Sequence, residues 1–207
     1  TVSMNWNQIL RWNHKFGEAN VDLMLGHETF SRKFDLVDGE KSNFVDPANS
    51  EWANASKITS LTSYSRDYKL EGYFGQVTGD YLNRYFVSAS LRKDGSSVFH
   101  PDNRWGTFWS VGASWRVNEE SFMKQLDFIN NLKLKGSYGL QGNDYLYLAN
   151  STTRRAYSPY KTLYGITSDG SNPGLEAKYL GRKEVTWEKN KNFNVGLEFS
   201  VFSNLIS

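Results

Sequence analysis

From Trp105 to Val117 the chain alternates without a break. Odd positions read Trp105, Thr107, Trp109, Val111, Ala113, Trp115 and Val117, and even positions read Gly106, Phe108, Ser110, Gly112, Ser114 and Arg116. An extended backbone points successive side chains to opposite faces. The segment is therefore a strand with one apolar, aromatic face and one small or polar face. Few folds use a strand of this length, since strands in soluble proteins average about 5–6 residues.

The same period recurs. Tyr85, Val87, Ala89 and Leu91 alternate with Arg84, Phe86, Ser88, Ser90 and Arg92; Leu132, Leu134, Tyr138 and Leu140 alternate with Lys133, Lys135, Ser137 and Gln141. Phe193, Val195, Leu197, Phe199 and Val201 alternate with Asn192, Asn194, Gly196, Glu198 and Ser200. Val21, Leu23 and Leu25 repeat the pattern more weakly, and 6–16 and 64–78 read as strands with less clean faces. That makes seven strands, with Leu205 to Ser207 the start of an eighth.

The connections form two classes. Phe16 to Asn20, Gly79 to Asn83 and Phe202 to Asn204 are short turns, and Asn118 to Asn131 is longer, with a helical turn expected over Glu119 to Leu126. The alternate connections run to about 33, 11 and 43 residues (31–63, 94–104 and 141–183). Short turns at one end and long loops at the other are the layout of outer-membrane barrels.

A soluble β-sandwich with carbohydrate-binding aromatic platforms is the alternative, since period two also describes a sandwich core. Strand length favours the barrel. Trp105 and Trp115 share a face, and at ~3.3 Å per residue and a tilt near ~40° they stand roughly 25 Å apart along a barrel axis, the height of a lipid-facing band with an aromatic girdle at each edge. Composition agrees. Mean hydropathy is −0.60, and no run of 18 apolar residues could make a membrane helix, but a barrel strand shows lipid only every second residue. Aromatic residues are 15%, with seven Trp against four Pro, as long unbroken ladders with interfacial rings require.

Net charge is +2 and Cys is absent, so neither a basic stripe for nucleic acid nor a thiolate metal site or disulfide framework is present. The first residues, TVSMNWNQIL, have no charged and apolar export signal. Either such a signal was removed or this is not the true start, and the second is the expectation.

Three motifs follow one another in order: YFVSASLRKDGSSVF from Tyr85, RWGTFWSVGASWRVNEESF from Arg104, and LKLKGSYGLQGN from Leu132. Together they resemble the barrel signature of SusC/RagA-type TonB-dependent transporters. In that family one strand ends in R-x-DGSS-x-F, another in W-R-hydrophobic-x-E-E-x-F, and a K-L-(K/R)-x-S-Y-G strand precedes a Gly-Asn loop. The later VTWEKNKNFNVGLEFSVF is similar to the family's next strand, where a W-E pair precedes an N-x-G-hydrophobic-x-F run. The resemblance covers most of the chain from about Gly72 onward and singles out Arg92, Asp94, Gly95, Ser96, Ser97, Trp115, Arg116, Glu120, Phe122, Trp187 and Glu188.

Those residues also have local physical readings. Asp94-Gly95 is a turn pair able to take positive φ, with Ser96 and Ser97 capping backbone groups. Asn118-Glu119-Glu120 before Ser121-Phe122 fits a capped helical turn at the periplasmic rim. Trp187-Glu188 reads as a girdle aromatic beside an inward carboxylate.

The resemblance implies an all-β chain: residues 1–207 as one partial domain, about seven to eight strands of a 22-stranded antiparallel transmembrane barrel, with long extracellular loops at about 31–63 and 141–183. It further implies a plug and a TonB-engaging segment, neither of which is in this sequence, and a SusD-like surface lipoprotein that lids the barrel. The partners expected are that lipoprotein, TonB through the missing N-terminal part, outer-membrane lipid, and a glycan or peptide substrate; nucleic acid is not among them. The chain ends in Leu-Ile-Ser where the family's last strand ends in an aromatic.

No enzyme or cofactor is expected. His14, His27 and His100 lie far apart without an H-E-x-x-H pattern, Gly112-Ala113-Ser114 lacks the second glycine of a nucleophile elbow, and Gly136, Gly139 and Gly142 do not form G-x-G-x-x-G. Asp169-Gly170-Ser171-Asn172 reads as a plain turn rather than a calcium loop, and Asn54-Ala55-Ser56 and Asn150-Ser151-Thr152 as sequons of little meaning in a bacterial protein.

Recognition is expected on 141–183, which holds six of the twelve tyrosines: Tyr145, Tyr147, Tyr157, Tyr160, Tyr164 and Tyr179. Its formal charge is +3, from Arg154, Arg155, Lys161, Lys178, Arg182 and Lys183 against Asp144, Asp169 and Glu176. Tyrosine offers a flat apolar face and a hydroxyl at little entropic cost, which suits sugars and protein interfaces alike. Loop 31–63, with Phe34, Phe44 and Trp52, is the expected lipoprotein contact.

Overall fold

A computed structural model describes residues 1–126, 128–147, 155–168 and 172–201. The strands are β1 (Val2–Phe16), β2 (Ala19–Phe44), β3 (Ala55–Tyr81), β4 (Tyr85–Ser96), β5 (Trp105–Arg116), β6 (Ile129–Asn143), β7 (Leu163–Ser168), β8 (Pro173–Tyr179) and β9 (Glu188–Val201). Seven form one antiparallel sheet in the order β1-β2-β3-β4-β5-β6-β9, with β1 and β9 at its open edges. β7 and β8 make a separate hairpin. A sandwich would need a second full sheet over the first. The described residues instead form a single wall.

Register makes that wall two-faced. One row across all seven strands reads Trp12, Leu23, Val77, Ala89, Val111, Tyr138 and Phe193. The row beside it reads Asn13, Asp22, Thr78, Ser88, Gly112, Ser137 and Asn194. Alternation thus sorts every strand the same way, because a slip of one residue would turn its whole apolar set over. The apolar face stays open: Val87 is 61% exposed and Val195 74%. Rings gather at both of its margins. Tyr85 stacks on Trp115 at the short-turn end, and Tyr73 lies 6.3 Å from Trp105 at the loop end.

What core there is lies over the polar face at the loop end. Val98 and Phe99 pack there with Tyr68, Phe108 and Trp187, joined by Phe30, Leu70, Leu146, Tyr157 and Val185.

Four expectations are corrected. Segment 31–63 is mostly ladder: β2 runs on to Phe44 and β3 starts at Ala55, so the true connection is 45–54. The ribbon needs no apolar face to keep its backbone bonds, and its mixed polar sequence concealed it. In 141–183, β6 continues to Asn143, and the β7–β8 hairpin occupies part of the remaining stretch. The turn at 119–126 is two 3-10 turns, Val117–Glu119 and Ser121–Met123.

Asp94-Gly95 is not a turn. Both residues belong to β4, which ends at Ser96, and positive φ occurs instead at Gly17, Asn43, Leu82 and Asn83. Gly95 sits opposite Trp105, where a β-carbon would come within 3.0 Å of the indole ring, so the position is kept small to seat that ring. The expected turn at Phe202 to Asn204, the strand from Leu205, Asn150-Ser151-Thr152, Arg154, Asp169, Gly170 and Ser171 lie outside the described residues.

Candidate functional site at the loop end

The polar face carries two linked clusters near its loop end. In the first, Glu28, Gly72, Asp94 and Gly106 share one cross-strand row, and Gly26, Phe74, Arg92 and Phe108 the next. Arg92 Nε donates to Asp94 Oδ1 and Oδ2 at 2.6 and 2.8 Å, and its terminal nitrogens reach Glu28 Oε2 at 3.3 Å. The guanidinium also lies over the Phe74 ring, 5.2 Å from its centre. Asp94 is 7% exposed, and this bifurcated bond replaces part of what water would otherwise give.

Asp144 centres the second. Its Oδ2 accepts from Tyr68 Oη at 2.8 Å and Ser96 Oγ at 2.7 Å, and its Oδ1 accepts from Arg155 at 3.1 Å. Arg155 lies over the rings of Tyr68 and Tyr145, at 4.5 and 4.7 Å. Burial, followed by the Asp144 charge, pushes Tyr68 up to about 12. Strand β3 supplies Tyr68, β4 ends on Ser96, and Asp144 begins the segment after β6, so one carboxylate pins that segment to the wall. Ser97 extends the junction: its Oγ accepts from Lys69 N, and its own N–H donates to Lys69 O.

Beyond Tyr68 a cleft of about 580 Å³ opens between β3 and the 155–163 segment. Tyr64, Arg66, Asp67, Arg155, Tyr157, Lys161 and Tyr179 line it, among others. Arg66 lies over two rings, 4.4 Å from Tyr64 and 5.3 Å from Tyr157.

The structure brings together some of the expected recognition residues and leaves others apart. Tyr157 lines the cleft. Tyr145 meets Tyr147 edge to face at 5.2 Å, and both are exposed. Tyr160 packs on His100, Tyr164 is 62% exposed on β7, and neither lines the cleft. Trp52 stands on the 45–54 connection, 60% exposed, with its ring over Gly39 and its carbonyl accepting from Lys41. Sequence reasoning missed Tyr64, Arg66 and Tyr68, although their i, i+2, i+4 spacing places them on one face of a strand.

The signature residues are spread over both ends of the wall. At the short-turn end Glu120 accepts from Tyr85 Oη, from Trp115 Nε1 at 3.0 Å and from Arg84 at 3.4 Å. Those bonds, Tyr85 first, hold its carboxyl below the usual carboxylate range. Arg116 lies over Phe86, and Phe122 is exposed on the second 3-10 turn. Glu188 opens β9 and accepts from Asn143 at 2.9 Å. Trp187 is a correction: it is not a girdle ring but part of the core, packed on Phe99 and Phe108 and donating to Arg104 O at 2.8 Å. A buried indole needs an acceptor, and the 97–104 segment supplies one.

Residues 2–207 match the family described as TonB dependent receptor-like, beta-barrel. The chain is 29% identical to the TonB-dependent receptor SusC of Bacteroides thetaiotaomicron, over 99% of this chain and 20% of that receptor. It is 32% identical to the TonB-dependent receptor P39 of Formosa agariphila, over 68% of this chain and 13% of that receptor. Among solved structures it is similar to the RagAB peptide transporter, with a TM-score of 0.87 at 20% identity, covering 98% of this chain and 22% of that one. The chain thus spans about a fifth of the length of the SusC relative.

Proposed function

Because this chain belongs to the TonB-dependent receptor-like β-barrel family, we propose that it is a stretch of wall in an outer-membrane importer of glycans or peptides. Import is driven through TonB, which engages a part of the protein outside this chain, and a SusD-like surface lipoprotein lids the barrel. The apolar face meets lipid and the polar face lines the lumen. The chain supplies wall and loops, and does no covalent chemistry. One observation carries the reading: an unbroken apolar row crosses all seven strands and stays open, with aromatic rings at both margins. In water so large an exposed apolar surface is unfavourable; in hydrocarbon it is required.

The loops divide in this reading. Segment 141–183 contacts substrate, through Tyr145, Tyr147, Tyr157, Tyr160 and Tyr164. The tip at Trp52 contacts the lipoprotein. The test is to fractionate cells making the full-length gene product. Recovery in detergent-extracted outer membrane, with loss of substrate uptake when TonB is removed, is the expected result. Recovery as a soluble monomer without detergent refutes the assignment.

A further inference from the structure

The cleft beside β3 adjoins a strand edge that the wall leaves unpaired. β4 pairs with β3 only from Leu70 to Tyr81, and the last bonds on that side are made by Lys69, with Ser97. A strand directs the N–H and C=O of every second residue to the same side. With Lys69 facing the β4 side, Asp67 and Ser65 face it too, and above Ser97 no strand among the described residues pairs with them. Both residues line the cleft, with Tyr64 and Arg66 between and beside them.

The cleft itself is basic and aromatic on both banks, with Arg66 on β3 and Arg155 and Lys161 across from it. Arg66, Arg155 and Lys161 line the cleft against one carboxylate, Asp67. Arg155 is engaged by Asp144, but its Nε is a buried donor without an acceptor. Among the described residues Arg66 has ring partners and no carboxylate partner, and Lys161 lies over the Tyr160 ring. Main-chain donors and acceptors left open among the described residues, with unneutralised cations beside and across from them, match one kind of ligand.

We propose that this cleft takes an extended acidic peptide, which adds as a strand to β3 at Ser65 and Asp67 and sets a carboxylate against Arg66 and Lys161. A sugar could meet the cations, but has no main chain to use the edge. The proposal rests on the importer reading and narrows its substrate to peptide.

The test uses the full-length transporter in detergent and the anisotropy of a dye-labelled hexapeptide alternating Glu and Thr, acetylated and amidated. Ser65→Pro removes the edge N–H, and proline is tolerated where a strand N–H faces away from its ladder. Ser65→Ala is its control, because both lose the hydroxyl bond to Asp35. Ser65→Pro and Arg66→Gln each weaken binding by at least about tenfold while Ser65→Ala does not; heat-modifiable gel mobility confirms assembly of all three. A peptide with Lys in place of Glu does not bind. A peptide whose only carboxylate is its C-terminus shows whether a side chain or a terminus supplies the anion.

Unchanged binding by assembled Ser65→Pro overturns the proposal. So does a hexagalacturonate that binds in place of the peptide, or absence of peptide binding to the wild type. Binding in detergent needs no TonB. Binding without TonB-dependent uptake therefore removes the importer reading alone, and uptake without binding removes this one.

Discussion

Gly72 lies directly across the ladder from Asp94, and a β-carbon at Gly72 would come within 2.4 Å of Asp94 Oδ1 and 2.6 Å of an Arg92 terminal nitrogen. The glycine is a space left for an ion pair. Gly72→Ala must displace this buried, bifurcated Arg92–Asp94 bond, at a cost of about 1–3 kcal/mol. Gly136→Ala is the control, since its β-carbon would meet only Asn194 O, at 3.8 Å. Urea midpoints of the refolded full-length barrel should fall for the first and hold for the second. Equal midpoints would mean that the pair contributes nothing.

Val111 and Ser110 are chain neighbours on opposite faces. In the proposed orientation arginine at Val111 enters hydrocarbon, at about 2–4 kcal/mol at the midplane, and the opposite face meets the lumen. Arginine at Ser110 enters the lumen, at the loss of one hydroxyl bond to Ser90. Val111→Arg is expected to reduce the heat-modifiable, assembled fraction far more than Ser110→Arg. Equal tolerance of the two would refute the assignment of faces.

Tyr68 ties stability to high pH. Its folded value is raised to about 12, against 10.0 for the free side chain. The stabilisation is therefore complete below pH 10 and is lost as pH rises from about 10 to about 12, by about 2–3 kcal/mol in all. Tyr68→Phe lacks the bond to Asp144 at every pH, and its unfolding midpoint should change less across that window. Parallel curves for the two proteins would exclude Tyr68 as the titrating group.

Glu120 gives the opposite sign at the other end of the wall. Its carboxyl is held low, first by the Tyr85 hydroxyl and then by the Trp115 indole. Its contribution is present above the usual carboxylate range and lost as pH falls through the lowered value. The Arg116 amide, which donates to Arg84 O, reports on the clamp. Glu120→Gln at neutral pH should lower its hydrogen-exchange protection, as acid should in the wild type. Protection unchanged in both would place the fastening of this turn elsewhere.

How much of this could be read from the chain depended on whether one segment carried the signal. Trp105–Arg116 showed its faces openly, because a wall between two unlike media demands period two at every step. The ribbon beyond Lys69 makes no such demand. Ser60 to Asp67, paired with Lys33 to Glu40, is mostly polar on both faces, with Leu61 and Tyr64 the exceptions, so no apolar period marks it. Asp94-Gly95 misled for a different reason. The pair has turn chemistry, but the Trp105 ring and the Arg92 guanidinium set its conformation from neighbouring positions. The Asp144 cluster had no local signature at all, since Tyr68, Ser96, Asp144 and Arg155 come from four separate stretches.

β2 and β3 leave the wall together without a break in partnership. The Trp105 margin aligns through Gly95 and Glu71 with Thr29. From Thr29 to Phe44 the ribbon climbs at ~3.3 Å per residue, roughly 50 Å along its length. Two strands bonded over that distance, with one bulge between Glu40 and Lys41, form a lever arm and not a tether. A sideways pull at Trp52 arrives at the wall as torque on Thr29 and Glu71, beside the His27–Glu71 contact and one row from the Arg92 ion pair. The arm thus gives whatever lands on its tip a mechanical purchase on the barrel.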